Sequence, residues 1–250
     1  MPERARLIGE TLLRVDRVGS TNDLLRSLAQ HGAHEGTVAL AREQTGGRGR
    51  MGRTWASPPG GLWLSILLRP DDPADPRVGL AAAVGVAEAL RRVSGAEVGL
   101  KWPNDLVLHG RKVGGLLVES VPPWAVVGIG VNVNVDRALF PAEIRAVAIS
   151  LAEAVGAEVD IEEVLRAVLA EVDEAHAAYR AGRIDDVLAR WRRFSVTLGQ
   201  PVRVQSGERI IEGIALDIDA DGALLVGDAD HPPTRVVGGD VTVLRGGGRP

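Results

Sequence analysis

Residues 43–59 read EQTGGRGRMGRTWASPP. Gly46, Gly47, Gly49 and Gly52 are interleaved with Arg48, Arg50 and Arg53, and Trp55 and Pro58 follow. Such a run is not a helix or strand interior, because each glycine costs backbone entropy there. Glycines let the backbone approach a ligand closely, and three guanidiniums offer fixed forks of donors to phosphate or carboxylate. Composition alone leaves a second use open, a flexible and solvated basic loop.

The flanks give this run a context. Residues 37–42 (TVALAR) read as a strand entering the loop, and 61–68 (GLWLSILL) as a buried strand leaving it. Further upstream, residues 12–15 form a short strand. Ser20-Thr21-Asn22-Asp23 before LLRSLA is an N-cap signature that opens an amphipathic helix. Capping alone accounts for that quartet; the alternative is a set of hydroxyl and amide groups shown to a small polar ligand. Downstream, the spacing predicts a helix over 78–93.

Residues 101–105 read KWPND. A proline inside a strand breaks the ladder, so this is an edge or a bulge. Lys101 can hold a phosphate, and Asn104 and Asp105 can position a divalent cation or a ligand hydroxyl; a plain polar turn is the alternative. His109-Gly110 reads as a hairpin turn and 111–121 (RKVGGLLVESV) as the return strand. Lys112 beside Gly114 and Gly115 can point at a ligand, or it can serve solubility on a sheet edge. Residues 125–135 (AVVGIGVNVNV) read as a glycine-rich strand. Its GxG lacks the third glycine of a dinucleotide fingerprint, and the Gly/Arg loop lacks the Lys-Ser or Lys-Thr of a phosphate loop.

Helices are expected over 143–155, 161–180 and 184–194. The whole predicts an α+β fold, a mixed sheet flanked by helices. From Val196 onward short alternating segments with turns at Ser206-Gly207, Asp221-Gly222 and Gly238-Gly239 predict a small β-barrel of about five strands. The expected domains are 1–197 and 198–250, with 246–250 as a disordered tail.

The chain has 250 residues, 45% hydrophobic and 25% charged, which suits a globular protein with one large and one small domain. Its net charge of −4 gives no overall basic field for DNA or an anionic membrane, so the arginine cluster is a local feature. Without cysteine, disulfides, thiolate metal sites and a Cys nucleophile are excluded. His31, His34, His109, His176 and His231 show no metal-ligand spacing. No signal-peptide run opens the chain and no apolar run is long enough for a bilayer, so a cytoplasmic protein is expected.

Together, Ser20-Thr21-Asn22, EQTGGRGRMGRTWASPPGGLWLSILL, KWPNDLVLHGRKVGGLLVE and VVGIGVNVN, in that order, resemble the biotin–protein ligases. The resemblance spans about residues 20–135, and the alternating C-terminal strands with Gly-Asp-Val resemble that family's SH3-like barrel. It implies a class II synthetase-like catalytic fold. About 19 residues precede Ser20, too few for the winged helix that some members carry, so the expectation is the ligase-only class.

The resemblance implies two steps. A biotin carboxylate attacks the α-phosphate of ATP, giving biotinyl-5′-AMP and pyrophosphate. A lysine of a biotin carboxyl carrier domain, part of a biotin-dependent carboxylase, then takes the acyl group and releases AMP. It assigns Ser20, Thr21, Asn22, Gln44, Arg48, Gly49, Arg50 and Lys112 to biotin, with Gly115, Leu117, Gly128 and Val131 as the pocket wall. Arg50, Arg53, Trp55, Lys101, Asn104, Asp105, Lys112 and Asn132 are assigned to ATP, with Asp105 and Asn132 also toward Mg2+. Lys112, Arg48, Arg50, Lys101 and Asp105 form the catalytic set. A lipoate or octanoate ligase and a non-catalytic biotin sensor are the rival readings. Monomer and homodimer both fit the sequence.

Overall fold

The computed structural model describes residues 6–228 and 232–244; the expected disordered tail lies outside these residues. A seven-stranded mixed sheet carries the larger part. In chain order its strands are β1 (Leu12–Val18), β2 (Val38–Gln44), β3 (Leu62–Leu68), β4 (Gly99–Lys101), β5 (Asp105–Leu108), β6 (Arg111–Val121) and β7 (Trp124–Val131). Their spatial order is β1-β2-β3-β7-β6-β5-β4. Only β1 and β2 run parallel; every other neighbouring pair is antiparallel.

Strand alternation divides the sheet into two unlike faces. On β3, Leu62, Leu64, Ile66 and Leu68 point into the main core beneath α2 (Arg77–Ser94), with α4 (Ile161–Arg180) and α5 (Ile184–Phe194) in the same layer. On the opposite face, Leu67 packs with Leu25 and Ala29 of α1 (Thr21–Gln30). Ser65 meets polar side chains of α1, and Trp63 packs with Val135, Phe140 and Ala148. One face is therefore a continuous apolar foundation. The other changes along β3 from apolar Leu67 to polar Ser65 to aromatic Trp63.

α2 is lined with small residues, and its Gly85 lies against the backbone of α4. A Cβ there would stand 2.6 Å from the Glu171 carbonyl oxygen and 2.7 Å from Val172 Cα. Alanine is intrinsically the better helix former by about 1 kcal/mol. Gly85→Ala is nevertheless expected to destabilise the protein, because parting two packed helices costs about 1–3 kcal/mol. Thermal unfolding should show a Tm lower by several degrees; an unchanged or higher Tm would contradict this packing.

The expected helix over 143–155 is replaced by turns and one short helix, α3 (Leu151–Val155). Its earlier half is drawn into the sheet instead. Lys112 N donates to the Val147 carbonyl and Ile149 N to the Lys112 carbonyl, at 2.7 and 3.0 Å. These bonds cannot coexist with an unbroken helix through Ala148.

The second sheet comprises β8 (Pro201–Ser206), β9 (Arg209–Ile218), β10 (Leu224–Gly227), β11 (Thr234–Val236) and β12 (Asp240–Val243) in the order β11-β10-β9-β8-β12, all antiparallel and SH3-like. It is anchored to the larger body. Buried Trp102 donates from Nε1 to the Gly222 carbonyl at 3.0 Å, and Arg192 Nε bonds Asp217 at 2.6 Å. No helix among the described residues is long and apolar enough to cross a membrane.

Candidate active site

A cleft of about 500 Å³ opens on the polar face of the large sheet. Its floor is almost free of side chains. Gly115 pairs with Gly130, which pairs with Trp63 on its other side, and Leu117 with Gly128, which pairs with Ser65. Two facing side chains need this bare floor. A Cβ on Gly128 would stand 2.5 Å from Asn22 Oδ1, and one on Gly130 would stand 2.6 Å from Trp55 Nε1.

At one end lies a polar network from α1, β2, β3 and β6. Gln44 Oε1 accepts from Thr21 N at 2.8 Å and from Thr21 Oγ1 at 3.0 Å. Ser65 Oγ lies 2.7 Å from Thr21 Oγ1 and 2.5 Å from Asn22 Oδ1. Asn22 Nδ2 donates to Glu119 at 2.8 Å, which fixes the amide's orientation. Ser20 has N-cap backbone geometry, yet its side chain makes no cap bond, and it lines the cleft.

The Gly/Arg stretch folds as a tight hairpin over the cleft. Trp55 N bonds the Gly47 carbonyl at 2.9 Å and Gly49 N the Arg53 carbonyl at 2.7 Å. Its tip turns through Met51 and Gly52, both with positive φ. Gly47 allows the hairpin to close, since a Cβ there would meet the Trp55 carbonyl oxygen at 2.4 Å.

Two arginines hold the hairpin down through ion pairs. Arg48 grips Asp23 through both oxygens, at 2.6 and 2.8 Å, and reaches Glu119 at 3.2 Å. The bond to Arg48 holds the Asp23 carboxyl below its ordinary range, so this stabilisation is complete above pH about 4 and is lost only in stronger acid. Arg53 pairs with Asp240 at the start of β12, which brings Asp240, Val241 and Thr242 of the small sheet into the cleft wall.

The other end of the cleft is cationic. Lys112 Nζ donates to Asp105 at 2.6 Å and lies 5.1 Å from the Trp55 ring centroid. Its placement depends on a bulge. β5 pairs Leu106 with Gly114 but Val107 with Lys112, so Val113 is extra and buried. The bulge turns Lys112 toward the same face as Gly115, which simple alternation would forbid. Arg50 donates to the Gly239 carbonyl at 3.2 Å and to Asn104 at 3.4 Å. Burial lowers its pKa, against the attraction of Asp240 and Asp105; a guanidinium stays charged even so. Among the described residues, Arg50 and Lys101 form no ion pair. Trp55 Nε1 is buried without a partner.

The sequence-assigned residues Ser20, Thr21, Asn22, Gln44, Arg48, Gly49, Arg50, Arg53 and Trp55 all line this one cleft. So do Lys101, Asn104, Asp105, Lys112, Gly115, Leu117, Gly128 and Asn132. Val131 is the exception. It is fully buried in the main core, because it shares the helix-facing parity of Val127 and Ile129 rather than that of Gly128 and Gly130. Sequence reasoning missed Ser65, Glu119, the Phe140–Ala148 wall and Asp240. Of these, Glu119 had a signal, a carboxylate directly after the apolar run Leu116-Leu117-Val118.

The fold is shared with the biotin protein ligases. The model described as "Biotin/lipoate A/B protein ligase family" matches residues 15–136, and "Biotin protein ligase C terminal domain" matches 197–244. The chain is 36% identical over 240 residues to the biotin–[acetyl-CoA-carboxylase] ligase of Mycobacterium tuberculosis, covering 92% of this chain and 88% of that one. It is 33% identical to the bifunctional ligase/repressor BirA of Bacillus subtilis over 89% of this chain and 71% of the relative. The Aquifex aeolicus biotin protein ligase, solved with biotin and ATP, superposes with a TM-score of 0.85 at 31% identity, over 94% of this chain and 99% of that one. The chain belongs to the biotin protein ligase family.

Proposed function

We propose that the protein activates biotin with ATP and passes it to a lysine of a biotin carboxyl carrier domain. One observation carries this reading: a single cleft joins a neutral hydrogen-bonding end to a cationic end across a glycine floor. Thr21, Asn22, Gln44 and Ser65 suit a ureido ring, and Trp55 lines the same cleft. Lys112 would take the biotin carboxylate. Arg50 and Lys101, which form no ion pair among the described residues, and Arg53 would take the phosphates. Bringing two anions together is the difficulty of the first step, and preorganised cations lower that barrier. The acyl carbon then faces an incoming amine while AMP, the leaving group, remains held by the same cations.

Mg2+ fits this donor set as an ion held mainly by phosphate oxygens. The carboxylates lining the cleft are Asp105 and Asp240, each paired with a cation, and Asn132 gives its amide to the Ile149 carbonyl at 3.1 Å. Asp105 and Asn132 are the side chains within the cleft to assist it, and its contribution is to neutralise phosphate charge. On this reading residues 1–197 form the catalytic domain and 198–250 an accessory one that steadies the ATP end through Asp240.

The test is intact-mass spectrometry of a biotin carboxyl carrier domain after incubation with this protein, biotin and Mg-ATP. One biotinyl addition that requires ATP is expected. Attachment of lipoate or octanoate instead would move the protein to the sister activity, and binding without transfer would make it a sensor. Closure is tested separately. Amide exchange across residues 44–55 should slow when the acyl-adenylate binds, since the hairpin is the cover that excludes water. Equal protection with and without it would refute the cover.

A further inference from the structure

The chain contains 27 arginines but only two lysines, Lys101 and Lys112, and no cysteine. Lysine is ordinarily among the commonest residues. Both lysines line the cleft. The cations on the outer surface are guanidiniums; Arg17, Arg42, Arg137 and Arg166 each have more than half of the side chain exposed.

We propose that the protein lacks cysteine and confines its two lysines to the cleft, so that its acyl-adenylate survives for an amine brought by another protein. This rests on the ligase reading above. In the capture step a neutral amine nitrogen attacks the acyl carbon. The C–N bond forms, the C–O bond to AMP breaks, AMP leaves with the electron pair, and the amine's proton passes to solvent. A surface lysine is neutral in roughly one molecule in a thousand near pH 7.4, enough to react, whereas an arginine is never effectively deprotonated. Thiolates, which accept acyl groups readily, are absent. The single tyrosine, Tyr179, is disarmed: burial and its 2.9 Å bond to Asp75 hold its pKa above the ordinary value, so no phenolate forms. Within the cleft, Lys112 Nζ is engaged by Asp105 at 2.6 Å and held away from a free approach to the acyl carbon.

Geometry gives the depletion its force. An adenylate held in the cleft meets side chains at the mouth at the high effective concentration of a tethered reactant, far above that of a dilute carrier. Val147 lines the cleft and is 57% exposed, and Arg137 lies just before Phe140 of the same wall. A lysine at either place would be an internal competitor.

The experiment compares the wild type with Val147→Lys and Arg137→Lys, each incubated with biotin and Mg-ATP but no carrier. Intact mass and peptide mapping read side-chain adducts, and pyrophosphate is measured in the same tubes. The wild type should form pyrophosphate and gain no side-chain adduct. Val147→Lys should gain one biotinyl group at residue 147, about tenfold faster or more than any wild-type adduct. Arg137→Lys conserves charge and repeats the test should the first substitution disturb folding. Adducts on wild-type Lys101 or Lys112, or pyrophosphate from the variants with neither one labelled, would overturn the proposal. Absence of pyrophosphate from all three would instead overturn the ligase reading.

Discussion

Lys112→Ala is expected to slow adenylate formation by about 10²–10³-fold, the scale on which one preorganised donor contributes to a developing charge. Lys112 is the cation that the Val113 bulge turns onto the glycine floor, and it sits against both Asp105 and the Trp55 ring. Its removal would leave a carboxylate uncompensated where two further anions must gather. ATP-dependent pyrophosphate release should fall more steeply than biotin affinity measured alone, because the charge matters most when the carboxylate meets the phosphate. Lys112→Arg should recover only part of the rate, since a planar fork cannot occupy the space of a compact ammonium. A rate within threefold of wild type for the alanine variant would remove Lys112 from the chemistry.

Gly128→Ala is expected to weaken biotin binding by about 10–100-fold, or roughly 1.4 kcal/mol per decade. The added methyl would stand 2.5 Å from Asn22 Oδ1 and 3.2 Å from the rest of that amide. Asn22 has nowhere to retreat, being bonded to Glu119 on one side and to Ser65 on the other. Each buried hydrogen bond that it surrenders costs about 1–3 kcal/mol. Calorimetry with biotin in the absence of nucleotide would read the loss, and ATP binding alone should change little. An unaltered biotin Kd would mean that the Asn22 network does not touch the ligand.

Much of this site was legible because its elements are local. The Gly/Arg hairpin, the turn through Lys101–Asp105 and the glycines of β6 and β7 each declare themselves within a few residues. Features that depend on what packs where were hidden. Apolar residues between Ile144 and Val155 fall at helical spacing, but their first half donates and accepts across β6, and that competition is invisible in one dimension. The family resemblance assigns Val131 to the pocket wall, yet alternation sends its side chain to the far face. Lys112 shows the converse: strict alternation from Gly115 would have buried it, and only the extra residue Val113 brings it into the cleft. Asp240 lies far along the chain, and its role follows from how the small sheet docks on Trp102.

The two faces of the large sheet have a practical consequence for remodelling the protein. The α2–α4 layer and the cleft are separated by one thickness of strand and draw on opposite parities of the same residues. Heat tolerance and substrate preference can therefore be pursued in separate variant libraries. One would randomise core-facing positions such as Val84 and Val168, the other cleft-facing positions such as Leu117 and Ile144. Gains from the two should combine nearly additively, since distant sites with no shared partners seldom interfere. The bulge at Val113, and residues such as Leu116 and Ile129 that belong to the core and also line the cleft, are where the two libraries would collide.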